Sequence, residues 1–554
     1  MRSLLSALTL LPLVGLATAC ASDPGGASLP LAETSIVTIV TPDFDPLYFY
    51  EGEDQTLVAR ITDSYGRTIT PAYVQWVSSL DAVVGTTTTL QVGTLSLGTH
   101  VIELAVTYAD QSVWSETLPA ISVIEDPWAD SDLLNDHELR TERDPNAPHV
   151  RDAWSDWIKT HNFPLRSLSS LDFADLTFLQ PLLGDRTIVA MGEAAHGIAE
   201  HNRIRVRLIK YLHEELGFNV IAFESGLYEC YFTNLAIDTL SARNALTKPL
   251  YGFWHTTDLL DLFEYIKATR DTPNPIQLAG FDLQPTGTLY MTRPAFLRTV
   301  LTPIDPSLAD SVYYLDLTVL LQGYEEVQQF IAEHYEKLTS LYGRALQAIT
   351  DNMPTVAQTL GTEEQARVAA EVARSAGDYI KFRSSDEFHS HYERVAIRDN
   401  RMAENFAFLK ETVFPGEKIV VWAHNVHIQM NTTAVQGAVY PPMMGLLLKT
   451  RYPDELYTIG SLMYRGVIDL SGQRTTVSIT TPESIEAILY RARVRHLFLD
   501  IASQQQQAGN EWLSQLTQQT YHHRSGNYYI WYVPKDQYDA IIFVDAVNPP
   551  SFID

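Results

Sequence analysis

Two different periods of apolar residues divide the chain. From about Ile36 to Val123 apolar and polar residues alternate. Ser35-Ile36-Val37-Thr38-Ile39-Val40 stops at Pro42, Leu57-Val58-Ala59-Arg60-Ile61 stops at Asp63-Ser64-Tyr65-Gly66, and Val101 to Thr107 alternates throughout. Short strands separated by turn signals predict a small all-β sandwich over residues 30–124. Beyond about residue 150 the apolar runs become continuous and alternate with helical patterns. Strands are expected at Thr187–Met191, Asn219–Glu224, Ile276–Asp282, Lys418–Ala423, Leu456–Leu462, His496–Asp500, Tyr528–Val533 and Ala540–Val544. Continuously apolar strands are those covered by helices on both faces, so the pattern predicts an α/β domain over 151–554 with a mostly parallel sheet. No strand is evident between Tyr290 and Glu411. Long helical patterns there, Tyr324–Ile349 and Glu363–Phe382 among them, predict a helical lid inserted at 290–411. Residues 125–150 are charged and broken by proline, as a linker would be.

Composition adds little to this picture, but the N-terminus changes it. With 45% hydrophobic and 19% charged residues the chain is globular, and at 554 residues more than one core is expected. The net charge of −28 opposes nucleic-acid phosphates and anionic lipid headgroups, and no local basic patch compensates for it. Arg2, the apolar run Leu4 to Leu16 and the small residues Ala17-Thr18-Ala19 form a secretory signal, too short for a transmembrane helix. Small residues before the single Cys20 resemble the lipobox of bacterial lipoproteins, although Ala17 stands where leucine is usual. The resemblance implies a signal over 1–20, export, and a lipidated Cys20 as the one membrane contact, in the bacterial cell envelope. The alternative is an ordinary signal cleaved near Ala19 or Ala21. Cys230 is the only other cysteine, so no disulfide is expected, and its apolar surroundings suit an inert buried thiol. The segments Val74-Gln75-Trp76-Val77-Ser78-Ser79 and Leu97-Gly98-Thr99-His100 resemble bacterial immunoglobulin-like or PKD-like modules, with a core tryptophan and a Gly-Thr-His turn. Such modules are spacers or adhesive elements.

Candidate chemistry gathers at three expected strand ends. Met191-Gly192-Glu193-Ala194-Ala195-His196-Gly197 follows the first strand, and open α/β sheets bind ligands beyond the carboxyl ends of their strands. His196 has the chemistry of a general base, and Glu193 could fix its tautomer. The next helix carries Arg203, Arg205 and Arg207, which at spacing two cannot share one face, so one can serve the site while the others are solvated. Glu224 closes the second strand, where burial calls for pairing with an arginine or histidine. His424 and His427 close a third strand at Val420-Val421-Trp422-Ala423. No Gly-x-Ser-x-Gly elbow and no reactive-cysteine context is present, so a covalent acyl-enzyme has no obvious nucleophile.

These motifs recur together in a known family. Gly192-Glu193-Ala194-Ala195-His196-Gly197 with Arg205-Val206-Arg207-Leu208 resembles the signature of erythromycin esterases. Ala222-Phe223-Glu224, Gly280-Phe281-Asp282, Arg398-Asp399 with Met402-Ala403-Glu404-Asn405, Trp422 to His427 and Met444-Gly445 follow in the family's order. The resemblance covers roughly residues 150–550. It implies an esterase, with macrolide lactones as one substrate class and antibiotic resistance as the outcome. It places the catalytic base on His196, the associated carboxylates on Glu193 and Glu224, the arginine on Arg205 and the later pair on His424 and His427. In that reading water activated by His196 attacks an ester carbonyl, and Arg205 or a protonated histidine of the later pair stabilises the oxyanion. No cofactor is implied. The competing reading is a zinc or iron site built from the three histidines and two glutamates, although no His-Glu-x-x-His helix is present. A third is a non-catalytic, ligand-binding lipoprotein.

Overall fold

The computed structural model of the protein describes residues 31, 35–40, 48–50, 56–63, 67–118, 120–124, 147–323, 326–470, 472–478, 481, 483–523 and 526–553. The signal over 1–20, with Cys20, and linker residues 125–146 lie outside the described residues. Two compact units are present, one ending at Ile124 and one running from there to the C-terminus.

The N-terminal unit is all-β. Tyr73–Ser78 and Ile102–Thr107 are central to a four-stranded antiparallel sheet with Ala82–Gly85 and Val113–Thr117. Ile36–Val40, Thr56–Thr62 and Thr89–Gln91 form a second sheet. Their inward residues Leu57, Leu90, Leu104 and Val106 are buried, as is Trp76, whose Nε1 donates to Thr87 O at 2.8 Å. The expected Gly-Thr-His turn is instead a strand, Gly98–His100, because it pairs antiparallel with Ile121–Ile124. His100 is buried there, 2.7 Å from both Ser78 Oγ and Ser96 O, which makes it a structural residue.

The C-terminal unit is α/β. Its sheet contains β1 (Phe163–Pro164), β2 (Ile188–Met191), β3 (Phe218–Gly226), β4 (Gln277–Asp282), β5 (Lys418–Trp422), β6 (Leu456–Leu470), β7 (Gln473–Ser478), β8 (His496–Asp500) and β9 (Ala540–Val547). The order is β1-β8-β9-β6-β2-β5-β3-β4, with β7 paired to the far end of β6. The stretch from β9 to β4 is parallel, whereas β8 runs antiparallel to β9, as do β1 to β8 and β7 to β6. Every residue of β2 is buried, and of β5 all but Lys418, which is why these strands carry no polar face. Tyr528–Val533, expected in this sheet, is not part of it. Gly526–Tyr532 pairs with Thr517–His523 in a separate hairpin.

Helix α1 (Ala199–Leu216) follows β2 and stops at Gly217, whose φ of +72° is the left-handed cap that glycine adopts without strain. Helix α2 (Thr257–Ala268) precedes β4. Between β4 and β5 come α3 (Arg293–Leu301), α4 (Pro306–Leu321), α5 (Glu326–Asp351), α6 (Met353–Leu360), α7 (Glu363–Phe382) and α8 (His391–Phe408), with no strand among the described residues. Ser390 and Glu393 start α8 with a reciprocal capping box. Asn405 Nδ2 donates to Phe281 O at 3.0 Å and so pins α8 to the end of β4. No helix among the described residues is long and apolar enough to cross a membrane.

Candidate active site

Register brings the site together. Met191 on β2 lies opposite Trp422 on β5, Trp422 opposite Phe223 on β3, and Phe223 opposite Gly280 on β4. Residues one or two places further on, Glu193, His424, Glu224 and Asp282, therefore share the rim at the carboxyl ends of four adjacent parallel strands. Asn425 fastens that rim. Its Nδ2 donates to Ser461 O at 2.7 Å, its Oδ1 accepts from Ser461 N at 3.0 Å, and its own N–H donates to Glu193 O at 2.9 Å. Gly192 is glycine because a Cβ there would lie 2.0 Å from Asn425 Oδ1.

The first cluster is built on Glu193, which is fully buried. His196 Nδ1 lies 2.7 Å from Glu193 Oε1 and donates to it, so the lone pair of the ring is on Nε2. Trp254 Nε1 donates to the same oxygen at 3.3 Å, and Arg205 Nη2 donates to Oε2 at 2.6 Å. Burial alone would raise the proton affinity of Glu193, but Arg205 and then His196 outweigh it and hold the carboxyl down at about 2. Arg205 is itself buried behind Glu193, with its guanidinium 3.7 Å from the Trp422 ring centre. Fully buried and with Nη2 on Glu193 Oε2, Arg205 is placed to hold Glu193 rather than to meet the oxyanion expected of it. His196 keeps 30% of its side chain exposed.

The second cluster is built on Glu224. Arg398 Nη2 donates to Glu224 Oε1 at 2.6 Å and to Asp282 Oδ2 at 2.7 Å, and the His424 backbone N–H donates to Glu224 Oε2 at 2.9 Å. His427 Nδ1 lies 2.8 Å from Asp399 Oδ1, and its Nε2 lies 3.3 Å from Glu224 Oε1. Burial would lower the proton affinity of His427, but Asp399 and Glu224 raise it above the ordinary histidine value, against the opposing charge of Arg398, whose Nη1 lies 3.2 Å from His427 Nε2. Glu224 is held well below the usual carboxylate range because His427 and Arg398 overcome its burial.

His424 differs from both. Its Nδ1 accepts the Val426 N–H at 3.3 Å, which leaves the ring proton on Nε2. Burial, reinforced by His196, lowers its proton affinity to about 3, so this ring is a neutral donor near neutral pH. Its centre is 5.5 Å from that of His196, edge to face.

All six expected site residues thus lie in two adjoining clusters, and Glu224 has the arginine and histidine partners its burial called for. Asp282, Arg398 and Asp399 stand in the family motifs with no role implied for them, and Asp282 ends β4 much as Glu224 stands two residues before the end of β3. The turn carrying Trp254 had no signal beyond its aromatic residues. Arg207 is a correction. It is buried, not solvated, because the loop before β2 folds over it: the carbonyls of Ser167, Ser170 and Asp172 and the Asp175 carboxylate take its guanidinium protons. Cys230 is buried, and burial pushes its thiol well above the ordinary value. Among the described residues no group of three or more His, Cys, Asp or Glu is arranged to hold a metal ion.

An imidazole oriented by a buried carboxylate at the carboxyl edge of an open α/β sheet is the equipment of a hydrolase. The chain belongs to the erythromycin esterase family, whose model, described as Erythromycin esterase, matches residues 213–547. That span holds Glu224, Asp282, Arg398, Asp399, His424 and His427, and the Glu193–Arg205 segment precedes it. The chain is 29% identical over 437 residues to "Putative hydrolase YbfO" of Bacillus subtilis (strain 168), covering 72% of this chain and 92% of that protein. It is 23% identical over 344 residues to erythromycin esterase type II of Escherichia coli, covering 56% of this chain and 78% of that one. A crystallised mutant of the erythromycin esterase EreC, in its open conformation, shares the fold with a TM-score of 0.54 and 20% identity, over 70% of this chain and 97% of that one. The mixed α/β fold with a mostly parallel sheet is therefore the family's, and the protein is a hydrolase.

Proposed function

We propose that the protein hydrolyses carboxylic esters, macrolide lactones included, with water activated by His196 and with neither a covalent intermediate nor a metal ion. The observation that carries this is the bond from His196 Nδ1 to Glu193 Oε1 at 2.7 Å, with Arg205 holding the other oxygen at 2.6 Å. In this reading His196 Nε2 takes a proton from water as the oxygen attacks the carbonyl carbon, and Glu193 supports the imidazolium. The Nε2–H of His424 donates to the oxyanion, and Arg398 and His427 keep Glu224 ionised beside it. Collapse of the tetrahedral intermediate breaks the bond to the alcohol oxygen, which takes the proton back from His196. General-base catalysis supplies about 10²- to 10⁴-fold and an oxyanion donor about 10²- to 10³-fold. Arg205 is a positioning residue.

Purified protein is expected to turn over at least one member of a panel of aliphatic, aryl and macrolactone esters, with the rate unchanged after exhaustive chelation. Activity lost to chelation and restored by zinc would establish the metal-dependent reading. Ligand binding without turnover across the panel would establish the non-catalytic one. We also propose that a lipid on Cys20 tethers the chain to the bacterial envelope, with residues 30–124 as a spacer. Mass spectrometry of the membrane fraction is expected to show a diacylglyceryl-modified N-terminal cysteine, and an unmodified N-terminus would refute the tether.

A further inference from the structure

One short turn touches both charged clusters. Tyr251 leads into the 3₁₀ turn Gly252–Trp254, which is followed by Thr256, the cap of α2. Trp254 Nε1 reaches Glu193 Oε1 at 3.3 Å, and the Tyr251 hydroxyl donates to Asp282 Oδ2 at 3.3 Å. Between them the Phe253 ring stacks on His196 with centres 4.0 Å apart and planes 17° apart. Its other neighbour in the stack is Tyr251, at 4.9 Å and 15°. The turn is fixed from the far end of the chain, since Ile553 N donates to His255 O at 2.9 Å and Thr257 N to Ser551 O at 2.8 Å.

We infer that Phe253 is a positioning residue for the base: it fixes the plane of the His196 ring and stabilises the imidazolium formed when Nε2 takes a proton. The inference rests on the water-activating reading of His196. An aliphatic residue would fill the same space. A face-stacked aromatic ring does more, because its electron-rich face attracts the ring only after protonation. That attraction is stronger in the transition state than in the ground state, so it accelerates the chemical step rather than binding. The groups facing His196 are Glu193 on its own loop, Glu224 from β3, His424 from β5 and the Trp254 edge, with Arg205 behind Glu193. Glu193 is held at about 2 and His424 at about 3, and Glu224 lies well below the carboxylate range. None of these changes charge near neutrality, and His427, which touches Glu224, is common to the native protein and the Phe253 variants, so a difference between their rate profiles reports the stack.

The test is Phe253→Leu, which keeps an apolar side chain and removes the aromatic face, assayed on whichever ester the full-length protein turns over. The expected result is a fall in kcat of about three- to tenfold with KM little changed. The acidic limb of the kcat/KM profile should move about half a unit towards lower pH, and Phe253→Tyr should restore both. Phe253→Met serves the same purpose if the leucine variant does not fold. An unchanged kcat and profile, or a loss confined to KM, overturns the inference. A His196→Asn variant assayed in parallel separates the two claims: if it remains active the base assignment fails, and if it is inactive while Phe253→Leu behaves as native, only the stacking role fails.

Discussion

Replacing His196 with asparagine is expected to lower kcat/KM by about three orders of magnitude or more and to leave the fold intact. Two contributions disappear together: the lone pair on Nε2 that accepts the proton of water, and the imidazolium that returns it to the leaving alcohol. Asparagine keeps an amide donor near the place of Nδ1, so the buried Oε1 of Glu193, which takes the His196 proton at 2.7 Å, is not left without one. The side chain is 30% exposed, and among the described residues its one side-chain hydrogen bond is that to Glu193, so truncation opens little cavity. The thermal midpoint should therefore stay close to the native value while turnover disappears. A variant that folds and retains more than about a tenth of native kcat/KM would show that another group activates the water.

The parts of the molecule legible in the sequence are those whose signal is local. β2 and β5 are buried on both faces, and such strands read as unbroken apolar runs. Glu193 and His424 stand out because polar residues follow those runs, and Glu224 because it interrupts the same kind of run in β3. β7 was not legible: Gln473-Arg474-Thr475-Thr476-Val477-Ser478 is polar and gains its place only by pairing with the extended end of β6. Tyr528–Val533 has the composition of a sheet strand, but its partner is the neighbouring segment Thr517–His523, and pairing is a property of two segments. Arg398 meets Glu224 across 174 residues of chain, brought there by the insertion's return through α8, and no spacing rule spans such a distance. The helical spacing does set Arg207 on a different face from Arg205. The loop that covers it, with carbonyls for every guanidinium edge, was invisible to periodicity.

Replacing Arg205 with methionine is expected to cost about 3–5 kcal/mol of stability and to remove activity as well. Methionine fills much of the space over Trp422, so the loss is chiefly electrostatic: Glu193 stays fully buried and loses its nearest cation. In the native protein the Glu193 carboxyl is depressed from 4.5 to about 2, so it contributes stability that is present above about 4.5 and is lost as pH falls through about 2. Without Arg205, burial becomes the dominant effect and the folded value rises above the unfolded one. The sign then reverses. The variant should be least destabilised below about pH 4.5, where the carboxyl is protonated in both states, and lose stability as pH rises through the raised value. Adding Glu193→Gln to Arg205→Met removes the stranded charge and should recover most of the lost stability at neutral pH. It should not recover turnover, because His196 would still lack the carboxylate that supports its imidazolium. Denaturant midpoints of the two variants at pH 4 and pH 7, set beside kcat/KM, distinguish a packing defect from a stranded charge. A single variant whose deficit is the same at both pH values, or a double variant no more stable than the single, would show that Glu193 has another counter-charge and that Arg205 does not hold it.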